Sequence, residues 1–203
     1  MSEKTRVALF GGSFNPPHVA HQLVALYVLE TQPIDQLWFV PTYAHPFGKD
    51  LAPFEDRVAM CELAVRALGP RAQVSRAEET LALAPGFTVS RTLDLIEHLA
   101  APDRELRLVV GADILGETAK WYRWDAVVEK APLIAIGRSG FSVPAGSTVT
   151  GVTMPEVSAT QIRELVAAAG PGAAGLSALL PRDVLRYIAE RRLYLGSGSD
   201  HAS

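Results

Sequence analysis

Cysteine is almost missing from this sequence: Cys61 is the only one among 203 residues, so no disulfide can form within the chain. Apolar residues surround it in the stretch RVAMCELAV, which is typical of a buried thiol. Long apolar runs are missing too, since the run before Gly11 is only VALF. That run is too short for a signal peptide, and no stretch has the length of a membrane span. Together with the scarcity of cysteine, this predicts a cytoplasmic protein with no membrane partner.

An excess of positive charge is also lacking. Lysine and arginine number 19 against 22 acidic residues, which gives a net charge of −3. Domains that bind nucleic acids are usually basic, so we expect no nucleic-acid partner. The length and the hydrophobic share of 48% suit a single domain, which we place at residues 1–195. The polar, glycine- and serine-rich residues 196–203 are expected to form a disordered tail.

Strand-like and helix-like segments alternate along the chain. Buried strands are predicted for RVALF, QLWFVP, AQVSRAE, LRLVVG, LIAIG and TVTGVTMP. Helices are predicted for HQLVALYVLE, FEDRVAMCELAVRAL, SRTLDLIEHLAA, TAKWYRWDAVVEKA, SATQIRELVAAA and LPRDVLRYIAERRLY. This alternation predicts an α/β fold, namely a doubly wound, Rossmann-like parallel sheet with helices on both faces and a C-terminal helical segment.

Glycine and polar residues follow the ends of several predicted strands. They are the pair Gly11–Gly12, Thr42, Gly111 with Asp113, and Arg138. The carboxyl ends of parallel strands share one edge, where ligands bind, and a glycine turn before a helix suits a phosphate. The patterns G-x-G-x-x-G and G-x-x-x-x-G-K-[ST] are both absent, so neither a dinucleotide fingerprint nor a P-loop is indicated.

Two histidines follow the glycine turn. We expect Pro17 at the first helical position, with His18 and His21 in the first turns on one helix face. Imidazoles beside an anion-binding turn fit a phosphate site, and they also fit ordinary positions on an amphipathic helix. The spacing alone leaves both readings open. Zinc is not favoured, because H-x-x-H lacks the glutamate of H-E-x-x-H and no third ligand is evident.

A second polar cluster lies in the stretch EVSATQIRELV. Ser158 and Gln161 fit a helix capping box, which by itself would explain them. Thr160 and Arg163 then share one helix face, where a hydroxyl and a guanidinium are suited to a phosphate chain.

These stretches together resemble a known family. GGSFNPPHVAH is similar to the G-G-[ST]-F-[DN]-P-x-H-x-x-H signature of the nucleotidyltransferase superfamily, and VSATQIRE is similar to its C-terminal [IV]-S-[SA]-T-x-[IV]-R motif. The stretches PGFTVSRTL, VVGADILGETAKWYRWDAV and LLPRDVLRYIAERRLY resemble segments of the bacterial nicotinate-mononucleotide adenylyltransferases. The resemblance runs in order over nearly the whole chain.

The resemblance implies an enzyme of NAD biosynthesis. Such an enzyme transfers the adenylyl group of ATP to the 5′-phosphate of nicotinate mononucleotide, giving nicotinate adenine dinucleotide and pyrophosphate. Its partners are ATP and a pyridine mononucleotide, and Mg²⁺ enters with ATP. The resemblance assigns no residue of the chain as a metal ligand, and it leaves open whether the chain forms a homodimer.

Residue by residue, the resemblance assigns catalysis to His18, His21 and Arg163. The implied ATP site comprises Gly11, Gly12, Ser13, Phe14, His18, His21, Gly111, Asp113, Ser158, Thr160 and Arg163. The implied mononucleotide site comprises Gly12, Ser13, Thr42, Lys49, Thr88, Trp121, Tyr122 and Arg138. In it, Trp121 would stack on the pyridine ring, and the backbone near Thr88 and Tyr122 would bind its carboxylate.

The sequence departs from the family pattern at three places. Ala20 replaces the usual glycine before the second histidine, and GRSG replaces R-P-G around Arg138. The loop AHPFGKD replaces P-P-H-[KR], so His45 and Lys49 would have to substitute. Two alternatives therefore stay open. One is a nucleotidyltransferase for nicotinamide mononucleotide, pantetheine phosphate or another phosphorylated acceptor, and the other is a nucleotide-binding protein without turnover.

Overall fold

Strands and helices alternate along the computed structural model, which describes residues 4–43, 51–85, 91–116, 118, 121–137 and 143–196, without the side chains of residues 113 and 114. The strands are β1 (Thr5–Gly12), β2 (Gln36–Pro41), β3 (Ala72–Val74), β4 (Arg104–Gly111), β5 (Leu133–Ile136) and β6 (Thr148–Thr150). The helices are α1 (Val19–Thr31), α2 (Phe54–Val65), α3 (Ala77–Ala82), α4 (Thr92–Leu99), α5 (Trp124–Lys130), α6 (Ala159–Ala169), α7 (Leu176–Leu179) and α8 (Arg182–Glu190). Short 3₁₀ turns follow α2 at Arg66–Leu68 and β4 at Ala112–Gly116.

All of these strands run parallel in one sheet of order β3-β2-β1-β4-β5-β6. Strand β1 pairs with β2 on one side, where Gly12 faces Pro41, and with β4 on the other, where Phe10 faces Val109. The strand order reverses direction between β1 and β4. Such a reversal leaves a crevice at the carboxyl ends of the two strands, which is where open α/β sheets bind ligands.

Alternate residues of the central strands face two separate apolar cores. Val7 and Leu9 of β1 join α4 and α5 in one core, whereas Ala8 joins α1 and α2 in the other. Because a parallel sheet is covered on both faces, its strands are apolar on both sides. The doubly wound fold with helices on both faces is confirmed, and Cys61 is buried in the second core as expected.

A third core joins the C-terminal helices to the sheet domain. Met60 and Ala64 of α2 pack there with Ile162 of α6, with Leu176 of α7 and with Ile188 of α8. The C-terminal helical segment predicted from the sequence is thus present, and it is anchored on α2. Within the described residues no helix is long and apolar enough to cross a membrane.

Several predicted elements begin or end elsewhere than expected. Strand β3 stops at Val74 because the helix-forming residues from Ala77 onward form α3, and β6 stops at Thr150, before Gly151. The helix predicted over TAKWYRWDAVVEKA begins only at Trp124, and the last predicted helix ends at Glu190. Left-handed backbone conformations at Arg123 (φ 49°) and at Arg192 (φ 54°) explain these two limits, because they interrupt right-handed helical geometry.

We expect the third core to carry much of the stability of the C-terminal segment. Ile188 is fully buried, so Ile188→Ala should lower the free energy of unfolding by about 2–5 kcal/mol, measured by urea denaturation. Leu26 of α1 is 46% exposed, and Leu26→Ala should change the free energy of unfolding by no more than about 0.5 kcal/mol. Equal losses in the two variants would contradict this assignment of the core.

Candidate functional site

The turn after β1, residues 13–17, which we call the glycine turn, lies at the crevice between β1 and β4. Gly11 and Gly12, where the sequence predicts the turn itself, are the last two residues of β1. The carbonyl of Gly12 accepts a hydrogen bond from the N–H of Thr42 (2.9 Å), which joins the ends of β1 and β2. A Cβ at Gly12 would approach the buried ring of Phe14 to 3.3 Å, whereas a Cβ at Gly11 would meet no atom within 4 Å. A side chain at Gly12 would therefore require the Phe14 ring to shift by a few tenths of an ångström, whereas Gly11 borders open space where a ligand can approach the backbone.

The two histidines lie just beyond this turn. Helix α1 begins at Val19, so the expected place of Pro17 at the first helical position is wrong: His18 is the N-cap, with extended backbone angles. The N–H of His18 donates to Nδ1 of His21 (3.1 Å), as the N–H of an N-cap residue can donate to a side chain three residues later. The two imidazoles stack with 3.7 Å between ring centroids.

Both histidines are held in the neutral form. Burial lowers the pKa of His18 to about 4, and burial with the nearby charge of His18 lowers the pKa of His21 to about 3. Because His21 Nδ1 accepts the His18 N–H, its proton resides on Nε2, which is a donor. Nδ1 of His18 is buried and has no hydrogen-bond partner among the residues that the structure describes.

The start of α6 brings the second predicted cluster to the same turn. Ser158 is the N-cap, and its hydroxyl accepts from the N–H of Gln161 (3.4 Å), which is one of the two bonds of the predicted capping box. The guanidinium of Arg163 donates through Nη2 to Thr160 Oγ1 (3.2 Å) and through Nη1 to the carbonyl of Asn15 (2.8 Å). The C-terminal cluster therefore contacts the glycine turn across 148 residues of sequence.

A large open cavity, which we call the arginine cavity, lies between this turn and α6. It has a volume of about 860 Å³. Its lining includes Ser13, Asn15, Thr160, Arg163, Arg192 and Tyr194. Two guanidiniums against one carboxylate, that of Glu164, favour an anionic occupant. Neither His18 nor His21 lines this cavity, since both pack behind the turn, where the His21 ring lies 4.9 Å from that of Phe14.

A smaller cavity, the glycine cavity, lies on the other side of the turn and has a volume of about 270 Å³. Its lining includes Gly11, Gly12, Thr42, Glu78, Gly111 and Trp121. Trp121 is half-buried and also packs edge-to-face on Trp124, with 5.4 Å between ring centroids. This cavity thus brings together residues of the predicted mononucleotide and ATP sites, namely Gly11, Gly12, Thr42, Gly111 and Trp121.

Other predicted site residues lie apart from the two cavities or outside the described residues. Tyr122 is 51% exposed and lies under the guanidinium of Arg91, 4.1 Å from its ring centroid. Ala20, which replaces the usual glycine, is buried and lines neither cavity. Outside the described residues lie His45, Lys49, Thr88 and Arg138, and the same holds for the side chain of Asp113.

Arg57 was missed by sequence reasoning and holds the site's loops together. Its guanidinium is only 1% exposed and donates to the carbonyls of Ser13 (3.0 Å), Thr42 (2.7 Å), Tyr43 (3.3 Å) and Ala52 (2.9 Å). One buried cation therefore ties the loop after β1 to the loop after β2. The signal in the sequence was an arginine among the apolar residues of a helix, in FEDRVAM.

Asn15, Arg192 and Tyr194 were also missed. Asn15 stands inside the glycine signature, and Arg192 and Tyr194 stand in the final RRLY stretch. None has a spacing that marks it as functional, because their relation to the cavity depends on how the chain ends meet. Only the folded arrangement brings them beside Arg163.

Comparison with known proteins agrees with this geometry. Residues 9–165 match the family model described as cytidylyltransferase-like. The chain is 50% identical over 198 residues to the "Probable nicotinate-nucleotide adenylyltransferase" of Anaeromyxobacter dehalogenans strain 2CP-1, with 97% of this chain and 100% of that protein covered. It is 39% identical to the protein of the same name from Myxococcus xanthus, with 96% and 97% covered.

Solved structures agree in fold. Plasmodium falciparum nicotinic acid mononucleotide adenylyltransferase, solved with NaAD, superposes with a TM-score of 0.76 at 17% identity, covering 94% of this chain and 97% of that one. The fold, the family match and the full-length relatives together define the chain as a nucleotidyltransferase. The chain belongs to the cytidylyltransferase-like family and, within it, to the nicotinate-nucleotide adenylyltransferases.

The buried histidines predict a specific dependence of stability on pH. Their folded-state pKa values lie below the usual 6.5, so the folded protein binds fewer protons than the unfolded chain. The stabilisation is complete above pH 6.5 and is lost as the pH falls toward about 4, with a slope of up to about 1.4 kcal/mol per pH unit for each histidine. Urea denaturation across this range measures the slope.

The variant His18→Asn should make that slope shallower, because it removes one titrating group and its charge on His21. The matched control is His98→Asn on α4, an exposed histidine whose replacement should leave the slope unchanged. An unaltered slope in His18→Asn would contradict the assignment.

Proposed function

We propose that the chain transfers the adenylyl group of ATP to the 5′-phosphate of nicotinate mononucleotide, releasing pyrophosphate and forming nicotinate adenine dinucleotide. The observation that carries this proposal is the junction at the glycine turn, where Arg163 reaches the carbonyl of Asn15 beside the arginine cavity. Relatives of the chain in two bacterial genera are named for this activity, and they match the chain over nearly its full length. Plasmodium falciparum nicotinic acid mononucleotide adenylyltransferase was solved in complex with NaAD and with APC.

The two cavities suit two phosphorylated substrates. They flank the same peptide, because Gly12 lines the glycine cavity and Ser13 lines the arginine cavity. We assign the polyphosphate of ATP to the arginine cavity, where Thr160, Arg163 and Arg192 supply a hydroxyl and two positive charges. We assign the mononucleotide to the glycine cavity, where the face of Trp121 is suited to an aromatic ring.

The reaction needs no general base. The second pKa of a phosphate monoester is about 6, so the attacking phosphate is mostly dianionic at neutral pH. One of its oxygens attacks the α-phosphorus of ATP, and the bond from that phosphorus to the bridging oxygen breaks, so the electron pair leaves with pyrophosphate. Holding the two substrates in line is worth roughly 7–11 kcal/mol of the barrier. Positioning by the turn and the two cavities therefore outweighs any single side chain.

The histidines and the arginines have different tasks in this proposal. Both imidazoles are neutral before substrate binds, so they contribute hydrogen bonds rather than charge. Neither imidazole lines either cavity, so in this proposal the two histidines hold the start of α1 beside the turn, through the bond from the His18 N–H to His21 Nδ1 and through the stacking of their rings. The charge that opposes the developing pyrophosphate comes from Arg163 and Arg192.

Magnesium fits this site as a companion of ATP. Among the described residues no group of three or more His, Cys, Asp or Glu side chains could hold a metal ion. Mg²⁺ commonly keeps several waters and binds substrate phosphates, and it needs few protein ligands. When bound to ATP it would neutralise part of the charge on the phosphates.

A pyrophosphate-release assay tests the proposed activity. Release should require both ATP and nicotinate mononucleotide, should fall on chelation of Mg²⁺, and should give nicotinate adenine dinucleotide by mass spectrometry. Nicotinamide mononucleotide and pantetheine phosphate test the other acceptors, and CTP in place of ATP tests the other nucleotide. ATP binding without release with any acceptor would instead indicate a binding protein.

Arg163→Ala should raise the KM for ATP by roughly 10- to 150-fold, because a hydrogen bond to a charged group is worth about 1.5–3 kcal/mol. The control is Arg186→Ala on α8, whose guanidinium pairs with Asp183 and lines neither cavity. Steady-state kinetics with both substrates measures the effect. If the variant had the same KM for ATP as the parent, Arg163 would have only a structural role at the start of α6, and its assignment to the ATP site would be contradicted.

A further inference from the structure

The end of the chain forms one wall of the arginine cavity. After α8 ends at Glu190, the backbone turns through left-handed conformations at Arg192 (φ 54°) and Tyr194 (φ 63°). Residues 192–195 all line the cavity. Such backbone conformations are uncommon for residues other than glycine, so surrounding contacts must hold this segment in place.

Two kinds of contact hold the segment. The side chains of Leu193, Tyr194 and Leu195 pack against the third core, which also contains Ile188. In addition, the hydroxyl of Tyr194 donates to Oδ1 of Asn15 (2.9 Å), across 179 residues of sequence. Burial raises the pKa of Tyr194, so this hydroxyl keeps its proton and remains a donor at neutral pH. The apolar contacts do not depend on the hydroxyl.

Asn15 connects Tyr194 to the cation of the cavity. Its side-chain oxygen accepts from Tyr194 and also from the N–H of Ala52 (3.1 Å). Its backbone carbonyl accepts from Nη1 of Arg163 (2.8 Å). Asn15 itself is only 2% exposed, so its orientation is set by these bonds rather than by water. The carbonyl of Asn15 is thus a fixed partner for one edge of the Arg163 guanidinium.

We propose that Tyr194 is a positioning residue for ATP, acting through Asn15 on Arg163. This inference rests on the proposed adenylyl transfer, in which Arg163 binds the polyphosphate. The hydroxyl of Tyr194 fixes the side chain of Asn15, the carbonyl of Asn15 holds one edge of the guanidinium, and the other edge, which contacts Thr160, stays directed at the cavity.

Tyr187 offers a matched control within the same C-terminal segment. Its hydroxyl makes a bond of similar length, 2.8 Å, to the buried carboxylate of Asp56. Tyr187 packs against the same third core but lines neither cavity. The variants Tyr187→Phe and Tyr194→Phe therefore each remove one hydroxyl that tethers the C-terminus, and only the second removes a bond to the glycine turn.

The experiment compares both variants with the parent in the pyrophosphate-release assay and in thermal unfolding. We expect Tyr194→Phe to raise the KM for ATP about three- to tenfold, as the loss of one neutral hydrogen bond implies. The KM for nicotinate mononucleotide should stay at the parental value. The two substitutions should lower the melting temperature by similar amounts. Tyr187→Phe should leave the KM values for ATP and for nicotinate mononucleotide unchanged. An ATP KM that is unchanged in Tyr194→Phe, or raised equally in Tyr187→Phe, would overturn the inference.

A double-mutant cycle tests the route through Arg163. If Tyr194 acts through that guanidinium, Tyr194→Phe should have no further effect on ATP affinity in the Arg163→Ala background. Additive effects of the two substitutions would mean that Tyr194 acts by another route, and they would overturn the proposal. Absence of pyrophosphate release in the parent protein would instead count against the proposed function itself.

Discussion

The parallel pairing of β1 with both β2 and β4 is the constraint on which the site depends. Because all three strands run in one direction, their carboxyl ends reach the same edge, and the reversal of strand order at β1 opens a crevice there. Gly11, Gly12, Thr42 and Gly111 stand at or directly after the ends of these strands, and they meet at this edge. Two buried cores, one on each face, hold the sheet in this register.

Backbone carbonyls, held by two guanidiniums, give the site its shape. Arg57 binds four carbonyls of the loops after β1 and β2 from the interior, and Arg163 binds the carbonyl of Asn15 from the side of the cavity. Buried backbone oxygens need partners, so each arginine satisfies groups that the irregular loops cannot pair among themselves. The described parts of these two loops, around Ser13, Thr42 and Ala52, are therefore held in place before substrate binds, which lowers the entropic cost of binding.

Neutral histidines and positively charged arginines lie in different parts of this region. The stacked histidines, His18 and His21, are neutral because they are buried, and they offer directed hydrogen bonds. The positive charge lies across the turn, in a cavity lined by Arg163 and Arg192. In the proposed reaction a polyphosphate carries negative charge away, and the cationic cavity is the part of the structure suited to it.

The alternation of apolar strands with amphipathic helices determined the fold class from sequence, because burial on both faces of a parallel sheet leaves a periodic signal. The motif residues His18, Thr160 and Arg163 were recognisable from the sequence because each lies in a short local pattern. Only tertiary structure decided the limits of α5 and α8, the tie from Arg57 to the loops, and the bond from Tyr194 to Asn15. These features depend on contacts between residues far apart in the chain, which no local spacing records.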